Sequence, residues 1–402
     1  MTSTIDAVLE SPPNRLTLTQ YQDLARRTDR TAKAGVADLD FPLLGLFGEV
    51  GSLMSELKKK QRDADSYVGY EPSVVEELGD VLWYFSVLAS RAQLALPDLA
   101  RKVMHGLDSP DQQPDDDAEI PFASLQPELS QDGPKPTEAF EGALLQLAGE
   151  VGHIAAKFSA GRLSDNRDAL SGDLVAIFRS LIAVATEADV SLADAAHGNL
   201  LKIFDRWPSE KSYPPLFDED FDREEQLPRL IEMEIFEKPV GNKTYVFQRC
   251  NGINMGDRLT DNKLEEDDYR FHDVFHLAYA AKLGWSPVLR SLFRLKRKSQ
   301  PKIDEAEDGA RAALIEEGVS TWIFNHASRL NFFENLSSVD YGLLKAVREL
   351  VSGYEAERCP LWLWEEAILD GYKMFRKLRD HRRGIIIADL NERTITFREL
   401  PV

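Results

Sequence analysis

The runs Leu43-Leu44-Gly45-Leu46-Phe47-Gly48-Glu49-Val50-Gly51 and Glu76-Glu77-Leu78-Gly79-Asp80-Val81-Leu82-Trp83-Tyr84 decide how the first part of the chain is read. At about 100° per residue, Leu46, Val50, Leu53 and Leu57 share one stripe of a helix from Leu43 to Lys60, with Glu49, Ser52 and Glu56 along its edge. A second helix from Val74 to Ser90 repeats the arrangement: Leu78, Val81 and Phe85 form the stripe, and Glu77, Asp80 and Tyr84 the edge. If the helices pack by their stripes, the acidic edges face one another across a cleft. Carboxylates crowded there repel, and a hard divalent cation relieves that repulsion. Such an ion can bridge phosphate oxygens and supply a water nucleophile. On spacing alone, the ordinary reading of these acids is a solvated helix face.

Outward from these helices the chain divides into blocks. Helical spacing with few breakers covers 14–108, and a stretch rich in Pro, Asp and Gln over 109–136 reads as a linker. A second helical block covers 137–210, and it parallels the first. Leu144-Leu145-Gln146-Leu147-Ala148-Gly149-Glu150-Val151-Gly152 follows the first run, and Ser171-Gly172-Asp173-Leu174 follows Leu78-Gly79-Asp80-Val81. A tandem duplication is the simplest account. The positions matching the acids of the first block are Glu150, His153, Leu170 and Asp173, so the second block is expected to be catalytically silent.

Together with Leu18-Thr19-Gln20-Tyr21-Gln22, the two opening runs closely resemble the MazG family in order and spacing. The resemblance is strong over the first quarter of the chain and weak over the second block. It implies an all-α nucleoside triphosphate pyrophosphohydrolase that uses Mg²⁺, with Mn²⁺ as a substitute, to yield a monophosphate and pyrophosphate. The family motif, Glu-x-x-Glu then Glu-x-x-Asp, carries over as catalytic and metal-ligating Glu49, Glu77 and Asp80. Ser52 stands where the family has its second Glu and is a weaker, neutral ligand; Glu56, one turn further, either compensates or is a plain surface residue. Lys58 is a candidate for reaching a phosphate from the basic end of the helix. Asn199 and Lys202 resemble the family's Asn-x-x-Lys tail, which the first block lacks, having Leu107 and Pro110 near those places. Hence either one composite site forms, with acids from block one and substrate-binding Asn199 and Lys202 from block two, or block two only completes the bundle core. The resemblance also implies a homo-oligomer, one level of which an internal duplication could replace.

The remaining 226–402 read as a separate, smaller α+β domain, making the fold class mainly α. Ile231–Glu237 with Thr244–Arg249, and Ile385–Asp389 with Thr394–Leu400, read as β-hairpins. Helical stretches lie at Tyr269–Leu283, Gly309–Arg329 and Tyr341–Glu357. His272 and His276, four apart, fall on one helix face and can grip a second divalent metal ion, with Glu316, Glu317 or Asp308 to complete the set. Asp273 follows His272 where His-Glu-x-x-His proteases carry their catalytic Glu, which puts protease chemistry in doubt. The ordinary alternative makes both histidines core or interface residues. The basic run Arg290–Lys298 reads as an anion site or a solvated helix face.

A chain of 402 residues is too long for one ordinary core, and 43% apolar with 29% charged residues describes a globular protein. A net charge of −20 opposes broad nucleic-acid binding, though not small anions bound through metal ions. Neither an N-terminal signal peptide nor a bilayer-length apolar run is read, and the two cysteines form no disulfide framework, so a cytoplasmic protein is expected. Three functions follow: the pyrophosphohydrolase, for nucleotide-pool sanitation or nucleotide depletion; a nucleotide sensor, kept open by Ser52, that regulates the C-terminal domain; or a metal enzyme centred on His272 and His276.

Overall fold

The computed structural model describes residues 4–31, 39–105, 119–130, 132–161 and 167–400. It divides into two compact units, Met1–Trp207 and Pro208–Val402. The structure is mainly helical, with one antiparallel sheet near the C-terminus.

The first unit contains α1 (Thr4–Leu9), α2 (Leu18–Thr28), α3 (Asp40–Asp63), α4 (Tyr70–Arg91), α5 (Leu96–His105), α6 (Glu138–Ser159), α7 (Arg167–Glu187) and α8 (Leu192–Arg206). Local signals fix several starts. Thr17 and Gln20 form a reciprocal capping box on α2, while Thr137 and Ser191 cap α6 and α8 through their hydroxyls. The expected stripes are all buried: Leu46, Val50, Leu53 and Leu57 on α3, and Leu78, Val81 and Phe85 on α4. They pack α3 against α4, and α6 packs against α7 in the same way. The helix after each pair then crosses over: α5 lies on α7, and α8 lies on α4. All of these helices share one hydrophobic core.

The expected linker is partly docked. Residues 106–118 and 131 lie outside the described residues, as do Leu107 and Pro110. The described remainder bonds to the bundle: Leu18 N donates to Ile120 O, Phe122 N donates to Leu16 O, and fully buried Phe122 meets Tyr21 edge-on. Burial of one aromatic ring turns this polar stretch into part of the core. A second correction concerns apolar length. Asp168–Glu187 is long and apolar enough to cross a membrane by length and composition, and half of it is buried inside the helical unit.

The second unit carries the sheet order β3-β2-β1-β4-β5, all antiparallel. Its strands are β1 (Leu230–Val240), β2 (Lys243–Cys250), β3 (Ile253–Leu259), β4 (Arg383–Asp389) and β5 (Thr394–Arg398). Both expected hairpins are present, and pairing of β1 with β4 joins them into one sheet. Strand β3 is absent from the sequence reading because its residues are almost all exposed and lack the alternation that marks a half-buried strand. Alternate residues Ile231, Met233, Ile235, Ile386 and Ala388 turn inward under α9 (Asp273–Leu283) and α14 (Leu361–His381). Helices α10 (Pro287–Phe293), α11 (Pro301–Ala306), α12 (Ala310–Ala327) and α13 (Tyr341–Leu350) complete the unit. The sequence reading names no helix over 361–381, and it runs α13 on to Glu357, where the structure has a separate short turn.

Candidate functional site

In the helical unit, Glu49 projects from α3 and Glu77 and Asp80 from α4, and ligand oxygens of all three lie within 4.8 Å of one another. Two glycines allow this approach. A Cβ on Gly45 would meet the Tyr84 ring at 2.0 Å, so Gly45 lets that ring lie against α3 beside the acids. A Cβ on Gly79 would stand 2.7 Å from Ala195 O and 2.9 Å from Asn199 Cβ, so Gly79 sets the close crossing of α4 and α8.

That crossing delivers two residues of the second block to the acids. Asn199 Nδ2 donates to Asp80 Oδ1 at 2.8 Å, and the Lys202 ammonium is paired with both oxygens of Asp80. Lys202 Nζ also lies 3.4 Å from Glu76 Oε1. Behind Asn199, the buried Tyr21 hydroxyl donates to its Oδ1 at 3.2 Å, so both ends of that amide are fixed. Tyr21 has no role in the sequence reading beyond its place in the Leu18–Gln22 run. Glu76, which the sequence reading has pointing elsewhere on the helix, stands four residues before Asp80, on the same face, and reaches Lys202.

The electrostatics fit a cation site. Burial, then repulsion from Asp80, Glu49 and Glu76, pushes the Glu77 carboxyl up to about 8. Burial and Asp80 raise Glu49, partly offset by hydrogen bonds from Glu77 and Ser52 and by the charge of Lys202. Burial also raises Asp80, against the opposing pull of Lys202 and Asn199. Glu49 and Glu77 thus lie close enough to share a proton. One ammonium does not neutralise the cluster, and hard oxygen donors at this spacing suit a small divalent ion.

Of the other expected residues, one borders the cluster and the rest lie away from it. Ser52 is bonded to Glu49. Glu56 is buried, 2.5 Å from Lys59 Nζ and hydrogen-bonded by the Tyr67 hydroxyl, so its carboxylate is engaged outside the cluster. Lys58 is exposed, and nine residues place it about 180° around α3 from Glu49, on the opposite side of the helix. In the second block Asp173 is held by Lys157 at 2.7 Å, and Leu170 packs on the core.

In the second unit, His272, His276 and Glu317 also bring ligand atoms within 4.8 Å of one another. Glu316 faces the other way, taking the Nδ1 proton of His276 at 2.8 Å. Burial works against charge on His276, but Glu316 and Glu317 outweigh it and hold the imidazole well above its ordinary value. Asp308 is buried against Arg297 at 2.7 Å and belongs to a different cluster. The basic run is neither anion site nor solvated face at its key positions: Arg290 pairs with Asp218 at 2.6 Å, and Arg297 with Asp308 and Glu355.

Residues 212–401, almost the whole second unit, match the family model described as the MazG C-terminal domain. The chain is also 33% identical over 95 residues to Gene 37 protein of Mycobacterium phage L5; the match covers 22% of this chain and 83% of that protein. No solved structure matches at a significant level. The C-terminal unit is thus similar to the MazG C-terminal domain, which supports placing the chain among MazG-like proteins.

Proposed function

We propose that the helical unit hydrolyses a nucleoside triphosphate to the monophosphate and pyrophosphate, with Glu49, Glu77 and Asp80 holding Mg²⁺ or Mn²⁺. The observation that carries this reading is the cluster itself: three carboxylates within reach of one ion, with Glu77 pushed up to about 8 by burial and then by its neighbours. A bound divalent ion supplies charge neutralisation at phosphate oxygens and a more acidic water. Protein groups do the rest. Lys202 brings a positive charge to the edge of the acids, where it stabilises phosphate oxygens, and Asn199 fixes Asp80 while held by Tyr21. A carboxylate of the cluster that does not ligate the ion would orient the attacking water and take its proton.

The site takes acids from one block and Asn199 with Lys202 from the other. Matching contacts in the two blocks support a duplication. Gln22 bonds Leu94 O and Leu96 N, and Gln126 bonds Val190 O and Leu192 N. The crossover of α5 onto α7 and of α8 onto α4 supports a pseudo-dimer in one chain.

A second reading keeps one specific observation behind it. Ser52 offers a hydroxyl where the motif expects a carboxylate, and Glu56 is committed to Lys59 and Tyr67. A weakened ion site suits a nucleotide sensor that regulates the C-terminal unit. Pyrophosphate release measured over the eight common NTPs and dNTPs with Mg²⁺, beside Glu77→Gln, separates the two. Release that depends on Glu77 supports the hydrolase. Nucleotide binding with no release from any of them overturns it in favour of the sensor.

A further inference from the structure

The C-terminal unit holds two histidines whose rings are fixed by different means. His272 Nδ1 lies 2.9 Å from the Tyr269 carbonyl oxygen, which only accepts, so Nδ1 donates there and Nε2 is the ring atom turned towards Asp273 and Glu317. The same ring is stacked on the Tyr269 side chain, with centroids 4.3 Å apart and planes 2° from parallel. His276 is fully buried, and its Nδ1 is tied to Glu316. Glu316, itself fully buried, also accepts from Ser286 Oγ at 2.7 Å and Val288 N at 2.8 Å, so it is saturated as a carboxylate. Each imidazole is thus held by Nδ1 and presents Nε2.

Both Nε2 atoms converge on Glu317. His276 Nε2 stands 3.4 Å from Glu317 Oε1, and His272 Nε2 stands 3.6 Å from Glu317 Oε2. His276 Nε2 is buried, and its approach to Glu317 is an ion-pair contact, with no well-formed hydrogen bond. A buried ring nitrogen without a well-formed hydrogen bond is costly, and a metal ion is a partner that would satisfy it. Two ligand atoms bound at 2.0–2.1 Å to one tetrahedral ion lie about 3.3–3.4 Å apart, close to the separations here. A hydrogen bond to the distal ring nitrogen from a carbonyl or carboxylate is the usual support of a metal-binding histidine.

We propose that His272 Nε2, His276 Nε2 and Glu317 form a centre for a divalent transition-metal ion of the zinc class, with Tyr269 and Glu316 as positioning residues. Glu317 is 40% exposed at its side chain, so the centre reaches the surface and leaves coordination positions to solvent or a small ligand. Asp273 Oδ1, 3.0 Å from His272 Nε2, adds negative charge beside it. Two nitrogen ligands distinguish this centre from the all-carboxylate cluster of the helical unit, which favours harder ions.

The full chain, free of any histidine tag, is stripped with chelator, loaded with Zn²⁺, desalted and assayed for bound metal. Co²⁺ loading gives a visible absorption readout. About one Zn²⁺ per chain is expected, lost in Glu317→Gln and His272→Gln, and retained in Glu77→Gln. Glu316→Gln is expected to weaken Zn²⁺ binding by roughly 10- to 100-fold. Circular dichroism checks folding; Glu317→Gln, at a half-exposed position, keeps the test available if a histidine variant does not fold. No retained Zn²⁺ in the wild type, or equal retention in Glu317→Gln and His272→Gln, overturns the proposal and leaves His276 as a histidine clamped between two glutamates. Neither outcome depends on pyrophosphate release by the other unit.

Discussion

Asn199 donates its amide to Asp80 across 119 residues of chain, which ties the second helical block to the acids of the first. Lys202, three residues on and on the same face of α8, follows it to the same carboxylate. If the composite site is correct, Lys202→Ala removes a charge that the substrate needs. A charge-assisted contact contributes about 1.5–3 kcal/mol, so kcat/KM is expected to fall about 10- to 100-fold. Steady-state kinetics check this, and wild-type turnover and KM would sink the idea.

Glu77 gives a pH signature. Its folded value of about 8 lies above the ordinary 4.5. The folded unit therefore keeps a proton that the unfolded chain releases as pH rises. This contribution to stability is fully present below pH 4.5 and is lost as pH climbs towards 8. In chelator, the melting temperature is expected to drift down across that window; Mg²⁺ should offset the drift most at its upper end. Glu77→Gln should flatten the chelator curve. Thermal melts at several pH values decide it.

Gly79→Ala tests the crossing of α4 and α8. The added Cβ meets backbone at 2.7 Å, where little can give. Overpacking of this kind costs about 1–3 kcal/mol. Urea unfolding should show that loss, together with weaker nucleotide turnover as Asn199 is pushed away from Asp80. An unchanged midpoint would mean that the two helices separate without cost.

Ser52→Glu restores the carboxylate that the motif lacks. The side chain starts on the edge of α3 beside Glu49, to which the serine is bonded. Tighter Mg²⁺ binding is expected, measured by titration calorimetry, and turnover should rise if metal occupancy limits it. Weaker Mg²⁺ binding in this variant would show that Ser52 is not at the ligand position.

Much of this site is legible locally. The 3.6-residue period placed Glu49 and Glu77 beside buried stripes, and those stripes are buried as expected. What the period cannot show is which helix lies across the acids. The contact of Asp80 with Asn199 depends on the absence of a side chain at Gly79, which no local pattern reveals. The choice between Glu316 and Glu317 was equally hidden. Adjacent residues differ by about 100° around a helix, so the rotation of α12 decides which one joins the histidines. Lys58 is a different case, since its azimuth opposite Glu49 follows from counting nine residues. Phe122 was masked by its polar neighbours: composition marks a linker, while a single ring docked in the core overrides it.

The ion pair between Lys157 and Asp173 has a consequence for counting. A pair of identical halves would give two sites and a two-step saturation curve, with the first occupant able to help or hinder the second. Here the matching acid in the second half is spent on an internal lysine, and among the described residues the helical unit gathers a single carboxylate cluster. If that cluster is the nucleotide site, the helical unit is expected to fill in a single hyperbolic step, and a sigmoidal response would point to several chains acting together.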